Sequence, residues 1–417
     1  MAKCMIGILA AAIVAGCATV DANAPRESGT AFAREELQKY VDSGELPGAV
    51  CVFYKDGVQE TTCIGYADTR TKRPITADDV YMQCSQTKGF CGVTIAKLVD
   101  EGKITLDDPV SKYLPEFKQL WVHQCYTNGT RVLRPAKTVL TVRMVLNHTG
   151  GFPFETVVKS SRLKNGGWSG GCPLRQTAAC AAACPLLFDP GTEVQYSNTG
   201  IDIGAAIVEV VTGQRWEDYL KENVLDPLGM SSSGFWPTDE QLAHQVEMYD
   251  CQKDKPATWR LQNDQQQRPY NDRSRVFASA GAGLWTTAND QLKFYKMLMN
   301  LGIGENGVRI LKEETVKSIL AVSTRPKGKT ASGKDFGGYS LGLTAPIADS
   351  EDARFGHGGA WGTNCSVNWH KKELTLWAVQ LCGGPRPWDA ARGKAESKFF
   401  KYMIDNSQLD AYTGRMK

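Results

Sequence analysis

Hydrophobic residues recur along this chain with two different periods, which separate candidate helices from candidate strands. Residues 30–41, 90–99 and 201–211 carry apolar residues at helical spacing, the pattern of an amphipathic helix. Gly102 and Gly213 follow the second and third runs. Glycine is a common helix stop because it adopts left-handed backbone angles without steric cost. The pattern therefore predicts three helices at these places.

Strand-like segments lie near both ends of the chain. Residues 49–54 and 58–66 flank a Lys-Asp-Gly turn, which is typical of a β-hairpin. Residues 365–369 and 374–381 alternate between apolar and polar positions, and residues 389–404 have helical spacing. We therefore expect both ends to contribute to one antiparallel sheet with flanking helices, while the middle of the chain is largely helical. This arrangement is an α+β fold.

Composition and charge exclude several classes of function. The formal net charge is +3 over 417 residues, and the 48 Lys and Arg residues are scattered, which argues against a nucleic-acid-binding protein. The 5 histidines show no H-x-x-H or H-E-x-x-H spacing, so a zinc hydrolase is not expected. Neither a phosphate-binding loop nor a strand-linked dinucleotide fingerprint occurs in the sequence. We expect no cofactor and no metal.

The most informative candidate chemistry lies in the stretch Ser85-Gln86-Thr87-Lys88, where a helix is predicted to begin. Positions i and i+3 share a helix face, so the Lys88 amine can approach the Ser85 hydroxyl. A serine at a helix N-terminus also lies beside free backbone N–H groups, which suits a developing oxyanion. Lys88 must be neutral to act as a base, and burial and the helix dipole both favour the neutral form.

Two other serines lie in motifs with weaker signals. Ser161 and Lys164 have the same spacing, but a glycine pair follows closely and cannot continue a helix well. Ser169 lies in a G-x-S-x-G motif, yet no apolar strand precedes it, as an α/β-hydrolase would require. We therefore assign neither serine to the catalytic site.

Two further motifs support the assignment of Ser85. Tyr196 and Asn198 lie between an Asp-Pro-Gly turn and a predicted helix, so a phenol and an amide are held on a short loop. The segment His357-Gly358-Gly359 precedes a predicted strand, and glycines there often mark a close approach of a ligand or another backbone. Each motif alone also fits a structural role: a buried tyrosine, a capping asparagine or a strand bulge.

In this order, the three motifs resemble those of the serine β-lactamase and penicillin-binding protein superfamily. The resemblance is closer to its class C-like branch of β-lactamases, D-alanyl-D-alanine carboxypeptidases, D-aminopeptidases and family VIII esterases. Connecting stretches that match as well are residues 102–115, 146–153, 227–230 and 279–284. The resemblance implies one domain over residues 29–417, with the active site in a cleft. A sheet lobe (29–84 and about 275–417) would face a mostly helical lobe (85 to about 274).

The resemblance also implies roles for individual residues. Ser85 would be the acylated nucleophile, and Lys88 its general base or proton relay. Tyr196 would pass the proton to the leaving group and help to activate the deacylating water. Asn198 would hydrogen-bond the acyl side chain of the substrate. The chemistry is two-step acyl transfer through a covalent intermediate.

The third motif departs from the family pattern. His357, Gly358 and Gly359 stand where the family has a Lys-Thr-Gly strand that binds substrate, and the Ala360 N–H would join that of Ser85 as the oxyanion hole. In the family, the hydroxyl helps to hold the carboxylate of β-lactams and of D-alanine-terminated peptides, and Gly358 has no hydroxyl. An anionic substrate would then lose a contact worth roughly 1.5–3 kcal/mol.

We therefore predict a serine hydrolase that acts on esters or on D-amino-acid amides and peptides. A β-lactamase or D-alanyl-D-alanine carboxypeptidase acting on cell-wall peptides is the alternative. A non-catalytic penicillin-binding sensor is the third interpretation, which we favour less because Ser85, Lys88 and Tyr196 are all present. The expected partner is a small-molecule or short-peptide substrate, and residues 118–140 and 155–185 are expected to border its cleft.

The first residues indicate export. A lysine precedes an apolar run that is too short to span a membrane, and the run ends in Val-Ala-Gly-Cys, which resembles a bacterial lipobox. The resemblance implies a signal peptide over residues 1–16, a lipid on Cys17 and a tether over residues 17–28, anchoring the protein to a membrane of the bacterial cell envelope, facing the periplasm. Cleavage after residues 22–24 is the alternative. Ala18, rather than aspartate, favours the outer membrane.

Cysteine usage is unusual for an exported chain of this size. There are 13 cysteines, and Cys172, Cys180 and Cys184 lie together in the middle of the chain. Their spacing is not a zinc pattern, so we expect a disulfide there rather than a metal. Cys84, beside the candidate nucleophile, is expected to be buried for packing.

Overall fold

The computed structural model describes residues 26–27, 31–154, 172–251, 259–261, 276–325, 328–329, 335–382 and 386–413. The predicted signal peptide and Cys17 lie outside these residues, as do Ser161, Lys164 and Ser169. Within the part of the chain that is described, no helix combines the length and the apolar character needed to cross a membrane.

The elements of the described residues follow in chain order. The helices are α1 (Phe32–Asp42), α2 (Thr87–Asp100), α3 (Val142–Leu146), α4 (Leu174–Ala182), α5 (Asn198–Thr212), α6 (Trp216–Leu220), α7 (Asp239–Ala243), α8 (Ala288–Met299), α9 (Glu313–Thr315) and α10 (Asp389–Thr413). The strands are β1 (Arg26–Glu27), β2 (Gly48–Lys55), β3 (Val58–Asp68), β4 (Arg73–Pro74), β5 (Tyr81–Met82), β6 (Trp121–Thr127), β7 (Thr130–Pro135), β8 (Tyr249–Cys251), β9 (Trp259–Leu261), β10 (Trp285–Thr286), β11 (Gly328–Lys329), β12 (Asp335–Phe336), β13 (Phe355–Gly358), β14 (Asn364–Asn368), β15 (Glu373–Ala378) and β16 (Leu381–Cys382).

The central sheet joins the two ends of the chain, as the sequence predicts. Its strand order is β1-β3-β2-β15-β14-β13, with β4 beside β3. The pairs from β3 to β13 are antiparallel, and only the short β1 runs parallel to its neighbour. The hairpin turn has Asp56 at φ 48° and Gly57 at φ 84°, the left-handed angles that a tight hairpin requires. Strand β13 is last in the strand order and forms one edge of the sheet.

Alternate side chains of the central strands pack into two separate hydrophobic cores. Val52 of β2 and Leu376 of β15 pack into the large core that the sheet shares with the helical part. Phe53 and Trp377, the next residues along, point to the opposite face and pack with residues of α1 and α10. Because side chains alternate in a strand, a strand covered by helices on both faces is buried on both faces, and all six residues of β15 are buried.

Helix α2 lies in the middle of the large core. Phe90 stacks on Phe294 of α8 with ring centroids 3.7 Å apart. A Cβ at Gly92 would lie 1.7 Å from the Leu341 carbonyl oxygen, and one at Gly342 would lie 1.9 Å from the Lys88 carbonyl oxygen. Only glycines permit this close approach, so the backbone around residues 341–342 fixes the first turns of α2.

The structure corrects several details of the sequence-based expectations. The helix predicted over residues 201–211 begins at Asn198, because the Ser197 side chain accepts a hydrogen bond from the Gly200 N–H and caps it. The capping-asparagine alternative is therefore wrong. The strand predicted over residues 374–381 is divided into β15 and β16, and the final helix continues to Thr413. The hairpin β6–β7 was not predicted.

The expected disulfide is absent from the described residues. The cysteines that are free in the structure are Cys51, Cys63, Cys84, Cys91, Cys125, Cys172, Cys180, Cys184, Cys365 and Cys382. Cys180 lies in α4 and Cys184 just beyond it, and the Cys184 thiol donates to the Cys180 carbonyl oxygen at 3.7 Å. Side chains four residues apart along a helix stack on one face instead of meeting in disulfide geometry. Cys84 is buried, as expected.

Candidate active site

Ser85 lies in a sharp turn between a strand and a helix. Strand β5 ends at Met82, a single 3-10 turn spans Cys84–Gln86, and α2 follows. Cys84 has φ 53°, an uncommon left-handed angle for a residue other than glycine. Thr87 stabilises the turn by donating its hydroxyl to the Cys84 carbonyl oxygen at 2.7 Å. Ser85 is half-buried, in contrast to its fully buried neighbours.

Lys88 is fully buried and meets three oxygen atoms. Its Nζ lies 3.1 Å from Ser85 Oγ, 2.6 Å from Asn198 Oδ1 and 2.6 Å from the Gly281 carbonyl oxygen. The side chain is 0% exposed, so the protein oxygens replace water as its hydrogen-bond partners. The predicted proximity of Ser85 and Lys88 is present. Asn198 contacts the lysine, and its contact with substrate stays a prediction.

Tyr196 completes this group. Its ring centroid lies 4.7 Å from Lys88 Nζ. Burial raises the pKa of the Tyr196 phenol, and a hydrogen bond with Ser85 lowers it in part. The phenol is therefore protonated at neutral pH and can donate a proton. Tyr196, Ser85 and Lys88 lie together as the sequence predicts, and their catalytic roles stay predictions.

His357 is a neutral residue on the edge strand β13. Burial and then the charge of Lys88 lower the pKa of His357 to about 3. Its Nδ1 lies 2.5 Å from the Gly358 carbonyl oxygen and its Nε2 lies 2.9 Å from the Tyr339 hydroxyl. A carbonyl can only accept, so Nδ1 carries the proton and Nε2 accepts from Tyr339. His357 therefore differs from a cationic lysine at this place.

His148 lies behind the two tyrosines and supports them. Its ring centroid is 4.4 Å from that of Tyr196 and 4.4 Å from that of Tyr339. The Ser197 N–H donates to His148 Nδ1 at 3.3 Å. Burial and the charge of Lys88 lower the pKa of His148, so this ring is neutral too. These contacts give His148 a structural role.

The turn after β13 lies against the segment that precedes Ser85. The Gln86 side chain donates to the His357 carbonyl oxygen at 3.0 Å. A Cβ at Gly359 would lie 2.4 Å from the Gln83 carbonyl oxygen, so this glycine permits a close backbone approach. The next residue, Ala360, is exposed. Its predicted oxyanion-hole role, together with the Ser85 N–H, stays a prediction.

A cleft of about 1000 Å³ opens beside this group. Its lining residues are His148, Leu187, Phe188, Glu193, Val194, Gln195, Tyr196, Arg325, Tyr339, Thr344, His357 and Gly358. Residues 118–140, which were expected to border the cleft, are not among these lining residues, and neither are residues 172–185 of the second expected segment; residues 155–171 lie outside the described part of the chain. Among the described residues, no three His, Cys, Asp or Glu side chains come together as a metal site.

Arg325 is a site residue that the sequence does not reveal. Its guanidinium lies 5.4 Å from the Tyr339 ring centroid, and Nε donates to the Gly337 carbonyl oxygen at 3.0 Å. No motif surrounds it, and its place in the cleft depends on tertiary packing. Gly281 lies in a stretch that resembles the family, but its contact with Lys88 was also missed.

Comparison with known proteins agrees with this geometry. The family model described as Beta-lactamase matches residues 33–375. This chain belongs to the β-lactamase family. The match spans the strand–turn–helix that carries Ser85, the segment of Tyr196 and strand β13, so the predicted superfamily and fold are confirmed. As a member of this family, the chain is a serine hydrolase.

Relatives of this β-lactamase-family chain have diverse names. It is 29% identical over 364 residues to Protein Rv1367c of Mycobacterium tuberculosis, covering 83% of this chain and 88% of that protein. It is 29% identical over 269 residues to Penicillin-binding protein 4 of Amycolatopsis lactamdurans, covering 64% of this chain and 63% of that protein. The structure of EstCE1, a hydrolase with promiscuous acyltransferase activity, superposes with a TM-score of 0.69 at 21% identity, covering 88% of this chain and 97% of that one. This last likeness shows the fold.

Proposed function

We propose that this protein hydrolyses neutral esters or D-amino-acid amides through an acyl-enzyme on Ser85. The observation that carries the proposal is the 3.1 Å distance between Ser85 Oγ and the fully buried Lys88 Nζ, with the protonated Tyr196 phenol beside both. A nucleophile, a base and a proton donor within contact distance are the parts that acyl transfer needs.

Acylation begins when neutral Lys88 takes the Ser85 proton while Oγ attacks the carbonyl carbon of the substrate. A C–O bond forms, and the carbonyl electron pair moves onto oxygen, where the N–H groups of Ser85 and Ala360 would hold it. Tyr196 then donates its proton to the leaving oxygen or nitrogen as that bond breaks. The Lys88 ammonium returns a proton to Tyr196, so the acyl-enzyme forms with the base neutral again.

Deacylation reverses these transfers with water in place of the leaving group. Water gives its proton to Tyr196 as Tyr196 passes its own to Lys88, and its oxygen attacks the acyl carbon. The bond to Ser85 Oγ then breaks, and the serine recovers its proton from Lys88. The acid is released and the site returns to its starting state.

A preference for neutral substrates follows from the third motif. Gly358 has no hydroxyl, and His357 is neutral because burial lowers its pKa to about 3. Its Nε2 is already bonded to Tyr339. Neither residue supplies the positive charge or hydroxyl that would hold a substrate carboxylate at this edge of the cleft. EstCE1, which has the same fold, is a hydrolase with promiscuous acyltransferase activity, and acyl transfer is the chemistry proposed for this chain.

One observation favours a second candidate, a β-lactamase or a D-alanyl-D-alanine carboxypeptidase. Arg325 and Thr344 line the same cleft as His357, and a guanidinium is suited to hold a carboxylate. If Arg325 takes over the task of the missing hydroxyl, anionic β-lactams and D-alanine-terminated peptides become good substrates. A penicillin-binding sensor remains the third candidate and differs from both by giving one burst of product without steady turnover.

The deciding experiment compares p-nitrophenyl esters, D-amino-acid p-nitroanilides, a D-alanine-terminated peptide and nitrocefin as substrates of the wild type. We expect kcat/KM for the best neutral substrate to exceed that for nitrocefin at least tenfold, which corresponds to about 1.4 kcal/mol. Ser85→Ala should lose turnover of all of them. Arg325→Gln should leave the ester unchanged; a selective loss on nitrocefin or the D-alanine-terminated peptide would favour the second candidate.

The Gly358 hypothesis can be tested with a matched pair of variants. A Cβ at Gly358 would meet Asn364 Nδ2 at 3.4 Å and Thr363 O at 3.6 Å, so a Cβ is accommodated without a clash, and Gly358 lines the open cleft. Gly358→Thr should raise the ratio of nitrocefin to ester hydrolysis, whereas Gly358→Val, which has the same shape without the hydroxyl, should not. Equal ratios in the two variants would rule out the hydroxyl as the cause.

We also propose that a lipid on Cys17 anchors the protein to a bacterial membrane. The support is the leader sequence, in which an apolar run ends in Val-Ala-Gly-Cys. The tether after Cys17 would then let the hydrolase domain act in the cell envelope.

A further inference from the structure

Behind Lys88 lies a carboxyl group that the mechanism above does not use. Asp202 follows Asn198 by four residues on α5, so the two side chains share one face of the helix. Asp202 is only 7% exposed. Its Oδ1 accepts hydrogen bonds from the Gly281 N–H at 3.1 Å and from the Ser279 hydroxyl at 3.4 Å. The carbonyl oxygen of the same Gly281 accepts from Lys88 Nζ, so one residue links the carboxyl group to the lysine.

The orientation of the Lys88 amine matters for proton transfer. A neutral amine has two N–H bonds and one lone pair. Asn198 Oδ1 and the Gly281 carbonyl oxygen each lie 2.6 Å from Lys88 Nζ, and each accepts a hydrogen bond from one of the two N–H groups. The lone pair then faces Ser85 Oγ at 3.1 Å, where it can take the hydroxyl proton. A change in the direction of the Gly281 carbonyl would let the amine rotate and lose this alignment.

Gly281 is held from two sides. On one side, a Cβ at this residue would lie 2.8 Å from Asn198 Cβ and 2.9 Å from Asn198 Oδ1, so the backbone packs directly on Asn198. On the other side, the Asp202 carboxyl group binds the Gly281 N–H. Without this bond a buried backbone N–H would lack its partner, which is costly.

We propose that Asp202 is a positioning residue for catalysis, because its carboxyl group holds Gly281 so that the Gly281 carbonyl aims Lys88 at Ser85. Asp202 acts through Gly281 and touches neither the nucleophile nor the substrate. This inference rests on the proposed acyl-enzyme function. It adds Asp202 as the residue that orients the general base, Lys88.

The charge of Asp202 supports this role. Burial raises the pKa of Asp202 to about 7, and the Gly281 N–H and Lys88 lower it in part. The titratable groups that face Asp202 from the described residues are Lys88 and Cys91, both on α2. An ionised Asp202 favours the ammonium form of Lys88. The two groups therefore titrate as a coupled pair, and the pH profile of the enzyme should report both.

The test separates the charge of Asp202 from its hydrogen bond. Asp202→Asn keeps an acceptor oxygen and removes the charge, while Asp202→Ala removes both. The matched control is Glu209→Gln on the same helix, where burial also raises the pKa of a carboxyl group that binds the distant Trp216 N–H. For each variant, kcat and KM for a p-nitrophenyl ester and the rate of fluorophosphonate labelling of Ser85 are measured from pH 5 to pH 10.

We expect the low-pH side of the profiles of kcat/KM and of labelling rate, here called the acid limb, to move to lower pH by about one unit in Asp202→Asn. Along this limb both quantities should rise with pH as they would for the loss of one proton. Without the negative charge, Lys88 loses its proton more readily. Asp202→Ala should lower kcat about 10- to 100-fold at every pH with KM within about twofold, because the alignment of the amine is lost. Glu209→Gln should match the wild type in both profiles.

An unshifted acid limb in Asp202→Asn, with wild-type kcat in Asp202→Ala, overturns the proposal. Should thermal melting show that the alanine variant does not fold, Asp202→Leu, which fills the space without an acceptor oxygen, takes its place: a fall in kcat of about tenfold or more supports the proposal, and wild-type kcat overturns it. Turnover that persists in Ser85→Ala refutes the proposed function itself, and this outcome is distinct from a failure of the role of Asp202.

Discussion

Replacement of Gly281 by alanine should slow catalysis without unfolding the protein. The added Cβ would lie 2.8 Å from Asn198 Cβ and 2.9 Å from its Cγ and Oδ1, which is closer than carbon atoms normally pack. Gly281 has no positive φ angle, so alanine meets no backbone strain and the contact with Asn198 is the whole perturbation. The backbone of Asn198 cannot retreat easily, since its N–H donates to the Phe154 carbonyl oxygen at 2.9 Å. Its side chain must rotate away from Lys88.

The size of the effect follows from the bond that this rotation breaks. Asn198 Oδ1 lies 2.6 Å from Lys88 Nζ, and a hydrogen bond to the ammonium that forms as Lys88 takes the serine proton contributes about 1.5–3 kcal/mol to the transition state. Expressed as transition-state free energy, that loss lowers kcat/KM about 10- to 150-fold. Overpacking costs a further 1–3 kcal/mol or so of folding stability, which leaves a folded protein with a lower melting temperature.

The assay is hydrolysis of a p-nitrophenyl ester together with thermal melting. Gly234→Ala is the matched control, because a Cβ at Gly234 meets nothing within 4 Å; it should keep both kcat/KM and melting temperature. A Gly281→Ala enzyme with wild-type kcat/KM would refute the idea that the contact between Gly281 and Asn198 holds the lysine in place.

The remaining predictions concern proton transfer, pH and the membrane. Lys88→Ala and Tyr196→Phe should each lower kcat at least about 100-fold, and the double variant should lose much less than the sum of the two effects; full additivity would mean that they act in separate steps. Folding keeps His357 neutral, with its pKa lowered from 6.5 to about 3, so stability that is present above pH 6.5 should fall as the pH drops toward 3, by up to about 4–5 kcal/mol. Denaturant unfolding at pH 7 and pH 5 should show a smaller pH effect for His357→Asn, and an identical effect would contradict the assignment. In a host that processes lipoproteins, Cys17→Ser should abolish palmitate labelling and partition into detergent, and equal labelling of both forms would exclude lipidation.

The sequence predicted the pairing of Ser85 with Lys88 because helical spacing alone places residues i and i+3 on one face. The hairpin of β2 and β3 was predictable for a similar reason, since alternation and an Asp-Gly turn are local features. Such features need no knowledge of the rest of the fold. These local features predict the Ser85 and Lys88 pair and the sheet beside it. The resemblance to the family then related this pair to the motifs of Tyr196 and His357.

Other parts of the site depend on contacts between distant segments. Asn198 was assigned to substrate, yet its side chain contacts Lys88, and the Gly281 carbonyl contacts the same amine from a segment 193 residues farther along the chain. Arg325 and Tyr339 line the cleft without any motif around them. The prediction of a disulfide was wrong although its cysteines are close in sequence. Cys180 and Cys184 lie one helical turn apart at the end of α4, where their side chains stack on one face and do not meet as a disulfide.

The pairing of β2 with β15 affects how the protein must be made. Lys55 and Glu373 lie side by side at one end of this pair, although 318 residues separate them along the chain. During synthesis the hairpin of β2 and β3 leaves the ribosome long before β15 exists, and its apolar edge remains unpaired for that time. Contacts of such long sequence separation also form slowly. Cells therefore need to shield this edge until the C-terminal strands arrive, and chains that stop before residue 373 should aggregate instead of forming a partial enzyme.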